Sequence, residues 1–124
     1  LLDTHTFIWY SEGLPNLPNP IRIAIEDADQ AYVSIVSLWE IAIKVSLGKL
    51  ALQADYTTLE SGLLSARLTL LPISFDDTVG VISLPSHHRD PFDRILVAQA
   101  INLNCPLVSR DSILDAYPVQ RSWV

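Results

Sequence analysis

Four carboxylates fall where short apolar runs meet helical stretches. Asp3 follows Leu1-Leu2, Glu40 sits early in an apolar helical run, Asp93 opens a second such run, and Asp111 follows Pro106-Leu107-Val108-Ser109. Like charges a few ångströms apart raise one another's pKa, so four acids sharing a cleft do not all stay ionised unaided. Hard divalent cations are the usual remedy. Mg²⁺ or Mn²⁺ takes oxygen ligands, keeps several waters and bridges to substrate phosphates, so a carboxylate cluster without histidine or cysteine ligands points to phosphodiester chemistry.

Each acid also has an ordinary structural role open to it. Asp3 suits an Asx turn or a helix cap, Glu40 can pair with Lys44 or close a capping box with Ser37, and Asp111 can begin a turn. In HRDPFDRILVAQA, residues 88–100, Asp90 suits the N-cap and Pro91 the first helical position, leaving Asp93 to reach back as a variant capping box. Taken together, these roles leave unexplained why every strand-edge slot carries an acid rather than a serine or asparagine. Asp76 and Asp77 need no more than a capping role with Ser74. Glu12, Glu26, Asp27, Asp29, Asp55, Glu60 and Asp115 read as solvated or turn residues, with Asp115 the substitute for Asp111 if the last loop folds differently.

His87-His88 ahead of Asp90 raises the question of zinc. Adjacent histidines do not readily bind one ion from one helix face, and no cysteine or HExxH spacing supports them, so both read as loop and capping residues. No GxSxG, P-loop or dinucleotide glycine pattern is present, and Ser109 has no visible base to make it a nucleophile. The single Cys105 forms no internal disulfide and reads as a small half-buried residue.

The elements that must position the acids follow from periodicity and punctuation. Leu1-Leu2 ends a buried strand that runs into a helix at residues 7–11, with Thr4 or Thr6 as cap. A proline-rich loop, residues 12–20, precedes a helix at 21–29, and residues 31–33 form a short strand. Ser34 caps a helix whose apolar face is Ile35, Leu38, Ile41, Ala42 and Val45, ending at Gly48. A helix is expected over 55–68, a strand over 70–73 and a helix over 74–84. The helix opened by Asp90 runs to about Leu103, and residues 106–109 and 119–124 complete the strands. Alternation of strands and helices is the pattern of an α/β fold with a central parallel sheet covered on both faces, which binds ligands beyond the carboxyl ends of its strands. Asp3, Glu40, Asp93 and Asp111 then all fall at or near one edge of the sheet.

The 124 residues fit a single domain, 1–124, and 49% apolar with 18% charged residues fits a substantial core. The absence of methionine and the short first strand suggest that a few upstream residues lie outside this numbering. No apolar run is long enough to span a membrane and no signal sequence is recognisable, so a cytoplasmic location is expected. A net charge of −6, from 14 acids against 8 bases, argues naively against nucleic acid. Convergence of several acids on divalent cations would reverse that local field.

LLDTHTFIW, SLWEIAIKVSLGKL, HRDPFDRILVAQA and PLVSRD, in this order and spacing, resemble the PIN-domain ribonucleases, in particular the VapC-like toxins of type II toxin-antitoxin pairs. The resemblance covers essentially the whole chain. It implies a three-layer α/β/α domain, a Mg²⁺- or Mn²⁺-dependent endoribonuclease acting on RNA, a homodimer, and inhibition by a small antitoxin protein. It makes Asp3, Glu40, Asp93 and Asp111 the acidic quartet and puts Ser109 in the slot that a Thr or Ser occupies beside the metal. Thr4, Arg94 and Lys44 are secondary candidates for substrate or supporting roles, and Lys44, Lys49, Arg89, Arg94 and Arg110 are candidates for a positive rim. Arg94 is equally placed for an ion pair with Asp90, one helical turn away. Two other readings stay open: a non-catalytic RNA- or protein-binding module, and a metal-dependent nuclease acting on DNA. The proline-rich loop and the helices between residues 21 and 68 are the expected dimer and antitoxin surfaces.

Overall fold

The computed structural model describes residues 1–124. Six α-helices are present: α1 (Thr4–Ser11), α2 (Asn19–Asp27), α3 (Ile35–Ser46), α4 (Leu59–Ser65), α5 (Phe75–Ile82) and α6 (Pro91–Leu103). Four short strands accompany them: β1 (Tyr32–Ser34), β2 (Thr69–Leu71), β3 (Leu107–Val108) and β4 (Arg121–Ser122). Strand β1 pairs in parallel with β2, and β3 with β4. Leu2 bridges Val33 on one side and Val108 on the other, both in parallel, so the ladders join as β2-β1-Leu2-β3-β4. The chain leaves Leu2 for β1 on one side and later returns for β3 on the other. That reversal is the topological switch point of a doubly wound sheet, where ligands bind at the strand's carboxyl end. Asp3 is the next residue.

Successive residues of a strand face opposite sides, and the core divides accordingly. Leu2 packs with Phe7, Ile8, Ile21, Ile25, Leu38, Ile41 and Leu63 of α1 to α4, whereas Leu1 packs with Leu96, Val97 and Ala100 of α6 and with Leu114 and Tyr117. Helices thus cover both faces, the three-layer α/β/α arrangement expected from the alternation.

Several boundaries differ from the sequence-based expectation, each for a local reason. Asp3, not Thr4 or Thr6, caps α1, because the sheet passes into the helix without a loop and the Asp3 side chain accepts from the Thr6 N–H. The single helix expected over 55–68 is a 3₁₀ turn, Tyr56–Thr58, followed by the short α4. Asp55 caps the turn through the Thr57 N–H, and α4 ends before Arg67, whose φ of +61° is left-handed. Pro72, with no N–H for a ladder, follows the end of β2 at Leu71, and the last strand is confined to β4. A second 3₁₀ segment, Ser112–Ala116, which the sequence does not announce, follows β3 and is capped by Asp111.

Candidate active site

Each acid's position follows from the element that holds it. Asp3 is the N-cap of α1, with Oδ1 accepting from the Thr6 N–H at 2.8 Å and no hydrogen bond to Oδ2. Glu40 lies in the second turn of α3 and is only 4% exposed. A buried carboxylate needs partners. Glu40 Oε1 accepts from the buried Thr4 hydroxyl at 2.7 Å, Thr4 Oγ1 lies 3.0 Å from Ser37 Oγ, and Lys44 Nζ meets Glu40 Oε2 at 2.7 Å. Each oxygen thus has one partner and keeps a second lone pair. Ser37 therefore supports Glu40 through Thr4 rather than by a capping box, and Lys44 is its ion-pair partner rather than an open rim charge.

Asp93 is the third residue of α6, and it does not reach back to the Asp90 N–H as a capping box would require. Asp90 alone caps that helix, accepting from the Phe92 N–H at 2.8 Å. Asp93 makes no hydrogen bond, and its carboxyl is pushed up from the ordinary 3.8 to about 6. Burial is the main cause and the Asp90 charge the next, with Glu40 and Asp3 adding to it while His88 opposes them. A helix N-terminus favours an ionised acid. Here burial and the three neighbouring acids outweigh it, which puts Asp93 in the field of both Asp3 and Glu40.

Asp111 stands apart from the other three in its partners. Oδ1 caps the 3₁₀ segment through the Ile113 N–H at 3.0 Å, and Oδ2 meets His88 Nε2 at 2.7 Å. Its own N–H donates to the fully buried Ser109 Oγ at 3.0 Å, which makes Ser109 a support for the turn. Arg121 binds Asp115 through Nε at 2.8 Å and holds its carboxyl below the usual range.

Two side chains depart from expectation. Arg94 neither pairs with Asp90 nor faces outward as part of a rim, because its guanidinium donates to the carbonyls of Val81, Leu84 and Pro85 at 3.1, 3.4 and 3.0 Å. It ties α6 to the carbonyl-rich end of α5, where a cation is favoured. His88, read from the sequence as loop, has a side chain only 8% exposed and contacts both Asp111 and Tyr117. Its partners lie 23 and 29 residues downstream, so no local spacing signals them. Lys49, Arg89 and Arg110 remain exposed and form no ion pair.

The donor chemistry suits a hard divalent ion. No group of three or more acidic, histidine or cysteine side chains is arranged as a cage. Mg²⁺ does not require one, since it binds through one or two carboxylates and keeps several waters. Asp93, with both oxygens uncommitted, and Asp3, with one, could hold such an ion between them, and their mutual repulsion is what a cation would relieve.

The comparisons with known proteins agree with this fold. A family model described as PIN domain matches residues 1–120. Among solved structures, VapBC2 from Rickettsia felis, crystallised bound to a DNA fragment from its promoter, superposes with a TM-score of 0.70. That match has 18% sequence identity and covers 98% of this chain and 95% of the other, and at this identity it bears on the fold alone. No curated protein sequence matches. PIN domains are generally nucleases that use divalent metal ions. With the family model spanning nearly the whole chain, the protein belongs to the PIN domain family.

Proposed function

We propose that this protein is a Mg²⁺- or Mn²⁺-dependent endoribonuclease, the toxin of a type II toxin-antitoxin pair. The observation that carries the reading is Asp93: an unpartnered carboxyl at a helix start, pushed up to about 6 in part by Glu40 and Asp3, beside the switch point of the sheet. A structural acid in that position is expected to have hydrogen-bond donors. An acid that shares a divalent ion with its neighbours is not.

In this reading Asp3 and Asp93 hold the cation, with Asp111 completing the acidic edge. Bound Mg²⁺ or Mn²⁺ supplies an activated water and neutralises charge on the phosphate. Glu40, held by Thr4 and Lys44, orients the attacking water. Lys49, Arg89 and Arg110 offer free cations to the nucleic-acid backbone, which a protein of net charge −6 otherwise lacks. Trp39 precedes Glu40, is 58% exposed, and meets Phe92, which precedes Asp93, edge to face at 5.3 Å. Such an aromatic rim suits stacking of an unpaired base and favours single-stranded RNA as substrate.

The antitoxin partner follows from the toxin reading, and the VapBC2 likeness supports it through the shared fold. For the homodimer, Phe75, Val79 and Ile82 form an exposed apolar stripe along α5 at 82%, 46% and 83% exposure. The exposed apolar residues between 21 and 68, such as Ile23, Leu47 and Leu64, are scattered among several elements. The stripe on α5 is therefore the better dimer face. Phe75→Glu with Ile82→Glu should turn a dimer into a monomer in gel filtration, and an unchanged elution volume would remove α5 from the interface.

The decisive experiment incubates purified protein with single-stranded RNA in EDTA and in Mn²⁺, alongside Asp3→Ala and Asp93→Ala. Cleavage is expected only with metal and only in the parent protein. Metal-dependent cutting of DNA but not RNA would change the substrate, and no cutting of either would leave a binding module.

A further inference from the structure

His88 joins two parts of the molecule that local sequence does not connect. Its backbone N–H donates to the Tyr117 hydroxyl at 2.9 Å, its Nδ1 lies 3.0 Å from the same oxygen, and the two rings stack at 5.4 Å with 28° between planes. On the far side of the ring, Nε2 stands 2.7 Å from Asp111 Oδ2. Tyr117 is itself 4% exposed and belongs to the core beneath α6. The imidazole is thus anchored at one end and presents its other nitrogen to a carboxylate.

The hydrogen-bond inventory fixes the direction of this relay. A carboxylate without its proton only accepts, so the nitrogen facing Asp111 must carry hydrogen. In the neutral ring Nδ1 is then free to accept the Tyr117 hydrogen, while the Tyr117 oxygen accepts from the His88 backbone. The opposite tautomer would set the Nε2 lone pair against carboxylate lone pairs. With the Ile113 N–H on Oδ1 and His88 on Oδ2, the Asp111 side chain has no free rotation.

We propose that His88 is a positioning residue: clamped by Tyr117, it fixes where the Asp111 carboxylate stands and so sets that acid's contribution to holding the divalent cation. The inference rests on the metal-nuclease reading above. A histidine in this place acts as carboxyl or carbonyl groups do around metal-bound histidines, by orienting a ligand it touches rather than by meeting the ion. The surroundings of the ring match this role, because Tyr117 takes up Nδ1 through its hydroxyl and leaves Nε2 to Asp111.

The test is Mn²⁺ binding by calorimetry to the full chain, with thermal unfolding in EDTA and kcat and KM on single-stranded RNA measured alongside. His88→Ala should weaken Mn²⁺ by about 10- to 100-fold, the range for lost outer-shell partners. His88→Gln, whose amide N–H can stand near the lost Nε2, should recover most of that affinity. Adding His88→Ala to Asp111→Asn should cost nothing further, because the histidine acts through that acid. Tyr117→Phe, which keeps the ring and removes only the anchoring hydroxyl, should give part of the loss with KM for RNA unchanged, and it stands in for His88→Ala should that variant not fold. Unaltered Mn²⁺ affinity in His88→Ala or Tyr117→Phe, no recovery by His88→Gln, or an equal loss in the Asp111→Asn background would each overturn the clamp while leaving the nuclease reading intact. A parent protein that neither binds Mn²⁺ nor cuts RNA overturns both.

Discussion

Asp77 and Asp93 are each the third residue of a helix, α5 and α6, and the two helices pack against one another. Local chemistry treats them alike, as acids in a first turn where the helix dipole favours negative charge. Their surroundings do not. Asp77 completes a capping box with Ser74, accepting its N–H at 2.9 Å, and also takes the side-chain amides of Asn102 at 2.9 Å and Gln99 at 3.4 Å. Burial pushes its carboxyl up, but those hydrogen bonds together hold it below the usual range. Asp93 has a cap already supplied by Asp90, no donor of its own, and other acids as neighbours. A structural acid is surrounded by donors that prefer it charged. Asp93, proposed above as a cation ligand, has no such donor.

That contrast is broken most directly by activity. Asp93→Asn should lower kcat/KM on RNA by more than about 100-fold, beyond the range of outer-shell partners. Asp77→Asn, measured per folded molecule, should leave it near the parent value. A large activity loss in Asp77→Asn with the fold intact would erase the distinction. Stability should show the reverse. Asp77→Asn replaces a charged acceptor by an amide that mismatches at least one donor, and should cost about 1–3 kcal/mol. On a domain of this size that is a fall in Tm of several degrees. Because the folded pKa of Asp77 is lowered, its contribution is complete above the ordinary 3.8 and fades as pH falls through the folded value. The gap between parent and variant in urea unfolding should therefore close in acid.

Much of this arrangement was legible in the sequence, because strand ends, caps and prolines are local signals. Asp90-Pro91 marked the start of α6, Ser34 that of α3 and Ser74 with Asp77 that of α5, and all three hold. Alternation of elements gave the parallel sheet covered on both faces. What did not emerge depends on contacts made across the fold. Arg94 had Asp90 one turn away, yet the end of α5 and the residues just after it pass close enough to offer it three carbonyls, and spacing along α6 cannot reveal that. The 3₁₀ segment after β3 has no periodic apolar face to announce it, so Tyr117 and the His88 clamp that depends on it were hidden. At Asp3 the difficulty was opposite: with no loop between sheet and helix, the acid at the strand edge is also the cap. Its two roles compete for the same residue and do not exclude one another, since only Oδ1 is taken.

The smallest effect is also the sharpest separation of the two aspartates. A carboxyl that keeps its proton more tightly folded than unfolded opposes folding once it ionises. For Asp93 that penalty begins above the ordinary 3.8 and is complete above about 6. Asp93→Asn removes the charge, so the metal-free variant should be more stable than the parent at pH 7.5, by about 1 kcal/mol once screening of a partly solvated group is allowed for. The gain should vanish near pH 3.5, the opposite pH trend to that of Asp77→Asn in sign. Mn²⁺ should then reverse the order at pH 7.5, because it stabilises only the protein that can bind it. Should Asp93→Asn be less stable than the parent at pH 7.5 in EDTA, Asp93 would have an unseen donor, and the contrast with Asp77 on which its assignment rests would be lost.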